Sequence, residues 1–203
     1  MDTIFLITIL VVIFALAFDF INGFHDTANA IATSVSTRAL KPRVAVLMAA
    51  IMNFIGALTF VGVAKAIASN IVDPMSLNAF EGDVTGSVVI LAALCSAITW
   101  NLLTWYYGIP SSSSHTLIGS LAGAAIGAAG FSILNYSGFL NILAALIISP
   151  ILALTVGFIV MSLFKIFFKN LGLYKTNSRF RLVQIVTAAV QSFTHGTNYA
   201  QKA

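Results

Sequence analysis

Charge is what this sequence has least of: Asp, Glu, Lys and Arg together make up 8% of its 203 residues. Soluble domains run at about 25% charged, so a soluble fold of this composition could not cover its own surface. A single cysteine, Cys95, excludes a disulfide framework and a cysteine metal site. Neither end has an acidic or basic tail. The formal charge of +4 reads as loop asymmetry, with no patch for nucleic acid. The opening Met1-Asp2-Thr3 lacks the positive n-region of a cleavable signal, so the first apolar run is expected to stay in the protein.

What is there instead is hydrophobic: 59% of residues, at a mean hydropathy of +0.99. A bilayer core of roughly 30 Å needs about 20 mostly apolar residues per helix, and several runs meet that length. The first covers about Ile4 to Ile21 and leads into a polar stretch, Asn22 to Arg38. A second covers Val44 to Ala64, and a third covers Val84 to Tyr107 and stops at Gly108-Ile109-Pro110. A Ser-rich start, Ser111 to Thr116, then feeds a Gly/Ala-rich run from Leu117 to Gly130. Phe139 to Phe168 is long enough to span with tilt. A sixth stretch begins near Phe180 and ends on the polar string His195-Gly196-Thr197-Asn198. The runs are continuous and do not alternate, which excludes a β-barrel. The fold class is all-α: a polytopic transmembrane helical protein, multi-pass in a cell membrane with the lipid bilayer as its solvent.

Loop charges orient it. Arg38, Lys41 and Arg43 place the first loop in the cytoplasm, as do Lys165, Lys169, Lys175, Arg179 and Arg181 for a later one. Asp73, Glu81 and Asp83 mark an external loop. About five crossings satisfy this parity if 109–130 crosses; a re-entrant hairpin there would need another break elsewhere, and the pattern leaves both open.

Four features go beyond what insertion requires. Asp26, with Asn22, Asn29 and Thr33, offers oxygens at helical spacings along one face of a helix or of a break in it. An ionisable residue at membrane depth normally faces a cavity or a partner, and hard oxygens suit Na⁺ or a proton on the carboxylate. An Asp at an interfacial helix end is the plainer alternative. Second, Pro110 begins a helix start whose hydroxyls, Ser111 to Ser114 and Thr116, cluster around the first turn. A helix N-terminus attracts anions. A dense donor set with little fixed positive charge suits a tetrahedral oxyanion that must later be released; an N-capping box is the plainer alternative. Broken helices aimed at anions are common in transporters. Third, Gly119, Gly123 and Gly127 are spaced for close helix packing. Fourth, Trp100, Trp105, Tyr106 and Tyr107 read as an interfacial belt, with Asn101 as an interhelical hydrogen-bond partner. His25 and His115 could relay protons or be structural. A Ser/His/Asp intramembrane hydrolase is disfavoured, because His25 and Asp26 are adjacent and expected on different helix faces, and no nucleophile-elbow string surrounds the serines. A weak repeat aligns Phe20 through Ala30 with Phe193 through Ala203, the first copy starting outside and the second inside, as an inverted repeat demands.

The strings FINGFHDTAN (Phe20 to Asn29), Thr37-Arg38-Ala39-Leu40, AAIMNFIGA (Ala49 to Ala57), WNLLTWYYGIP (Trp100 to Pro110) and SSSHTLIG (Ser112 to Gly119) resemble the PiT family of inorganic phosphate transporters, most closely its bacterial low-affinity members. The resemblance implies an inverted-repeat carrier, not an enzyme, moving phosphate or metal–phosphate by symport with H⁺ or Na⁺ and using no cofactor or resident metal. It implies a coupling-ion site at Asp26, Asn22, Asn29 and Thr33, and phosphate-binding hydroxyls at Ser112, Ser113, Ser114 and Thr116. His195 and Asn198 begin the second-repeat site. Residues 1–175 would form the first repeat and 176–203 the start of the second, so the chain is expected to be the front portion of a longer carrier. The family's second signature reads His-Gly-x-Asn-Asp, whereas Tyr199 stands at the Asp position here; a phenol of pKa about 10 is no carboxylate at neutral pH. Sulfate permeation by a related member and a non-transporting fragment are the alternatives. Self-association into a homo-oligomer is left open.

Overall fold

The computed structural model describes residues 3–59, 84–109, 111–169 and 173–199. Pro110, the acidic loop with Asp73, Glu81 and Asp83, the end of the second run and the last residues of the repeat lie outside the described residues. The described residues form six helices, α1 (Thr3–Ser36), α2 (Pro42–Thr59), α3 (Val84–Tyr106), α4 (Ser113–Ala129), α5 (Tyr136–Phe168) and α6 (Leu173–Tyr199), with one 3-10 turn at Phe131–Ile133. No strand occurs among the described residues. Four helices, α1, α2, α3 and α5, are long and apolar enough to cross a membrane. The sequence therefore placed the runs correctly, and the all-α, multi-pass architecture holds.

Of the two arrangements open to the first feature, a helix face or a break, the structure has the helix face. The apolar run and the polar stretch after it form one helix of 34 residues, about 50 Å long at 1.5 Å per residue. Asn22 to Asn29 hence lie within a continuous helix. The Ser-rich break is present. α3 ends at Tyr106, Gly108 adopts φ 64°, and α4 opens on Ser112 as its N-cap. The two helices then run back along each other, with Ser120 Oγ 3.4 Å from Ser96 Oγ. At 17 residues, α4 falls short of the about 20 needed for a full crossing.

α1 is the axis of the fold. On one side Phe18, fully buried, packs with Leu94, Ala97 and Leu117 of α3 and α4. On the other, Ile31 packs with Ala45 and Ala49 of α2. α6 closes against α1 and α2: Thr37 Oγ1 donates to Gln184 Oε1 at 2.8 Å, and Ser34 Oγ donates to the Gln184 carbonyl at 3.3 Å. α2 and α6 touch backbone to backbone. A Cβ on Gly56 would collide with the Phe193 carbonyl, and one on Gly196 with the Asn53 carbonyl. The glycine of the second signature is thus a packing device.

The Gly119, Gly123 and Gly127 stripe is not. Among the described residues, a Cβ at any of the three would meet open space, because α4 buries the neighbouring stripe of Ile118, Ala122 and Ala125 instead. α5 stands apart along most of its length. Its N-terminal end packs Phe139, Ile142 and Leu146 on the α4 cluster, and its far end stacks Phe164 and Phe168 edge-on against Phe180.

Candidate functional site

Two cavities flank the middle of α1, on the side where α6 approaches it. The smaller, of about 340 Å³, lies between α1, the start of α4 and α6. From α1 it takes Asp26 and Asn29; from the turn into α4 it takes Ser111, Ser112 and Ser113; from α6 it takes Gln191, Thr194, His195 and Asn198. The two signature strings, far apart in sequence, thus line one space.

Its central contact joins α1 to α4. Ser113 Oγ donates to Asp26 Oδ2 at 2.5 Å, and both side chains are buried, Asp26 at 8% exposure and Ser113 at 3%. His25 Nδ1 lies 3.6 Å from Asp26 Oδ1, so these neighbours make a contact although adjacent positions on a helix diverge. Each carboxylate oxygen therefore has a polar neighbour, from two different elements.

Ser112 caps α4. Its Oγ accepts from the His115 backbone N–H at 3.4 Å and sits 2.8 Å from His115 Nδ1. Such a cap satisfies one of the first-turn N–H groups that have no intrahelical acceptor. Thr116 is buried, but its hydroxyl turns back to the Ser112 carbonyl at 3.0 Å. It lines a separate hydroxyl-bearing cleft with Ser96, Trp100, His115 and Ser120. Ser114 borders neither space.

The expected coupling face divides. Asp26 and Asn29 line the smaller cavity, whereas Asn22 turns into the larger one, of about 660 Å³, between α1, α2 and α6. Thr33 is exposed and borders neither cavity; its carbonyl accepts the Thr37 hydroxyl at 2.8 Å. It shares Asp26's angular position, but seven residues of rise carry it about 10 Å further along the axis. Asn101 is buried at 1% exposure, yet its Nδ2 finds no acceptor among the described residues, so the interhelical bond expected of it is not made there. Trp100, Trp105, Tyr106 and Tyr107 are all exposed, as a belt requires.

The sequence reading passed over three residues. Asp19, hidden in the first apolar run, lines the larger cavity with Asn22. Asn53 also lines it and accepts from His195 Nδ1 at 2.9 Å. Gln191 joins the smaller cavity. The available signal was Asp19 itself, a carboxylate three positions before Asn22 in a run otherwise free of charge. No group of three or more His, Cys, Asp or Glu able to hold a metal occurs among the described residues.

Comparison with known proteins identifies the family. Residues 22–177 match the model of the phosphate transporter family. The whole chain is 67% identical to a "Probable low-affinity inorganic phosphate transporter" of Bacillus subtilis, covering 59% of that protein. It is 41% identical over 191 residues to a protein of the same description from Streptomyces halstedii, of which it covers 86%. Against "Low-affinity inorganic phosphate transporter PitB" of Escherichia coli it is 36% identical over 97% of its own length and 44% of the other. In three dimensions it is similar to a solved chain described as "The sodium-dependent phosphate transporter", with a TM-score of 0.75 and 25% identity over 94% of this chain and 54% of that one. The chain thus spans about half the length of most of these relatives.

Proposed function

The chain belongs to the phosphate transporter family, and we propose that it supplies the anion- and cation-binding half-site of a secondary phosphate carrier, at the cavity where Asp26 meets Ser113. That contact is the observation on which the reading rests: a buried carboxylate held against the first turn of a hydroxyl-rich helix. Its relatives are named as transporters, which points away from an enzyme.

The chemistry follows from charge. The start of α4 favours an anion through its dipole and its unsatisfied N–H groups, and Ser111 and Ser112 add hydroxyls at the same place. Asp26 opposes that anion. Two like unit charges about 4 Å apart repel by about 4 kcal/mol at an effective dielectric of 20. A proton or Na⁺ on Asp26, with the Asn29 amide beside it, removes the repulsion. Phosphate then binds well only when the cation is present, and this conditional affinity is symport. Residues 1–175 act as the first repeat and 176–203 as the start of the second. His195 and Asn198 complete the far wall, without the carboxylate that Tyr199 replaces. Ser114, Thr116, Asn22 and Thr33 have no part in this cavity.

Phosphate is favoured over sulfate by the family match, since hydroxyl donors discriminate weakly between two tetrahedral anions. Uptake of labelled phosphate into liposomes by the intact protein, with and without Asp26→Asn, tests the reading. Coupled uptake is expected to vanish in the variant; uptake at the unaltered rate refutes the role of Asp26. Sulfate uptake that phosphate leaves unaffected would instead favour the sulfate alternative.

A further inference from the structure

The larger cavity has a chemistry that the phosphate site leaves unused. Asp19 lies midway along α1, sixteen residues from Thr3 and seventeen from Ser36, inside the helix's apolar run. Among the described residues its Oδ1 has no hydrogen-bond partner, and the ion pair of Asp26 with His25 does not reach it. One turn on, Asn22 is 2% exposed and its Oδ1 is likewise unpartnered. Both residues line the same space, whose other walls include Phe20, Val46 and Ala50. Two buried oxygens without donors in a largely apolar cavity are expensive, and a carboxylate within an apolar membrane helix calls for a positive charge.

Among the described residues, no side chain bordering the cavity supplies that charge permanently. The titratable groups bordering the cavity are Asp19 and His195; α2 contributes Val46, Ala50 and Asn53, none of which titrates. α3 bears no Asp, Glu, Lys or Arg. His195 donates from Nδ1 to Asn53 Oδ1 and also lines the smaller cavity, so its ring is the partition between the two spaces.

We propose that this second cavity is a cation site distinct from the one at Asp26, in which the Asp19 carboxylate and the Asn22 amide oxygen take a single positive charge, a proton or Na⁺, that drives accumulation of the cargo. A proton adds to Asp19 Oδ1 as a carboxylic acid and leaves from the same oxygen; Na⁺ is held there by oxygen ligands alone. The proposal rests on the carrier reading above. It assigns Asp19 to coupling and leaves anion recognition to the other cavity.

The test separates accumulation from exchange. The intact protein in liposomes is given phosphate on both sides for exchange at zero gradient, or an imposed gradient for accumulation. A gradient of one pH unit can sustain about a tenfold concentration ratio per proton carried. Asp19→Asn is expected to lower the ratio by about tenfold, the share of its own charge, while phosphate exchange continues, and Asp19→Glu to restore it. Imposing either a pH or a Na⁺ gradient identifies the ion, and either result supports the site. Unchanged accumulation in Asp19→Asn overturns the proposal, as does loss of exchange together with accumulation. An unaltered protein that exchanges no phosphate would remove the carrier reading, and this proposal with it.

Discussion

α1 and α5 are nearly twins by the measures that place a helix in a bilayer. They have 34 and 33 residues, and their most apolar windows average 2.9 and 2.6 in hydropathy. Their surroundings are opposite. α1 is wrapped by α2, α3, α4 and α6 and borders both cavities, whereas no residue in the most apolar window of α5 is buried. The difference follows from a few polar side chains. α1 bears Asp19, Asn22, Asp26 and Asn29, while α5 has no Asp, Glu, Lys or Arg before Lys165. Lipid tails are as apolar as leucine, so α5 gains little from protein neighbours. The oxygens of α1 cannot face lipid, and other helices must cover them. Hydropathy says which helices cross; the exceptions to it say which one works.

Breaking that difference should be hardest on α1's side. Gly196→Ala drives a methyl into the Asn53 carbonyl, which parts α6 from α2 and opens the far wall of the anion cavity. Over-packing of this kind typically costs about 1–3 kcal/mol, and with backbone as the obstacle the upper end is expected. Thermal unfolding in detergent should fall by several degrees and uptake should drop with it; an unchanged melting point would mean that the two backbones do not meet.

Ser113→Ala is the next step down. It leaves buried Asp26 Oδ2 without its donor, a loss of about 1–3 kcal/mol. Phosphate KM should rise roughly tenfold, with a fall of a few degrees in the melting point. The smallest effect belongs to α5. Leu154 is 76% exposed, so Leu154→Ala should shift stability by no more than about 0.5 kcal/mol and leave uptake as it was. A large loss there would show that α5 has a covering partner.

Much of this was readable in advance, for reasons that also explain the misses. Helix extents follow from continuous apolar runs, and the Ser-rich start of α4 follows from capping chemistry. Asp26 and Ser113 were both marked from local strings, but nothing local said that they touch. Asp19 was lost because a run average absorbs one charge among many Ile, Leu and Phe residues. Thr33 was included because spacing gives an angle around the helix and not the depth at which a cavity ends. Asn22 was grouped with Asp26 although four residues rotate it by about 40°, enough to turn it into another space. The glycine stripe of α4 invited a packing partner, yet the close glycine contact belongs to Gly56 and Gly196, on helices 140 residues apart in sequence. The Asn53–His195 bond is of the same long-range kind, and no local string pointed to it.

The central claim is that phosphate binds beside Asp26 in the α1–α4–α6 cavity. With Cys95 replaced by serine, single cysteines at Asn29→Cys and Leu154→Cys can be labelled by a soluble thiol reagent and a lipid-soluble one respectively, with and without phosphate. Phosphate should slow labelling at position 29, which lines the cavity, and leave position 154 untouched. Equal labelling at position 29 with and without phosphate would contradict the account.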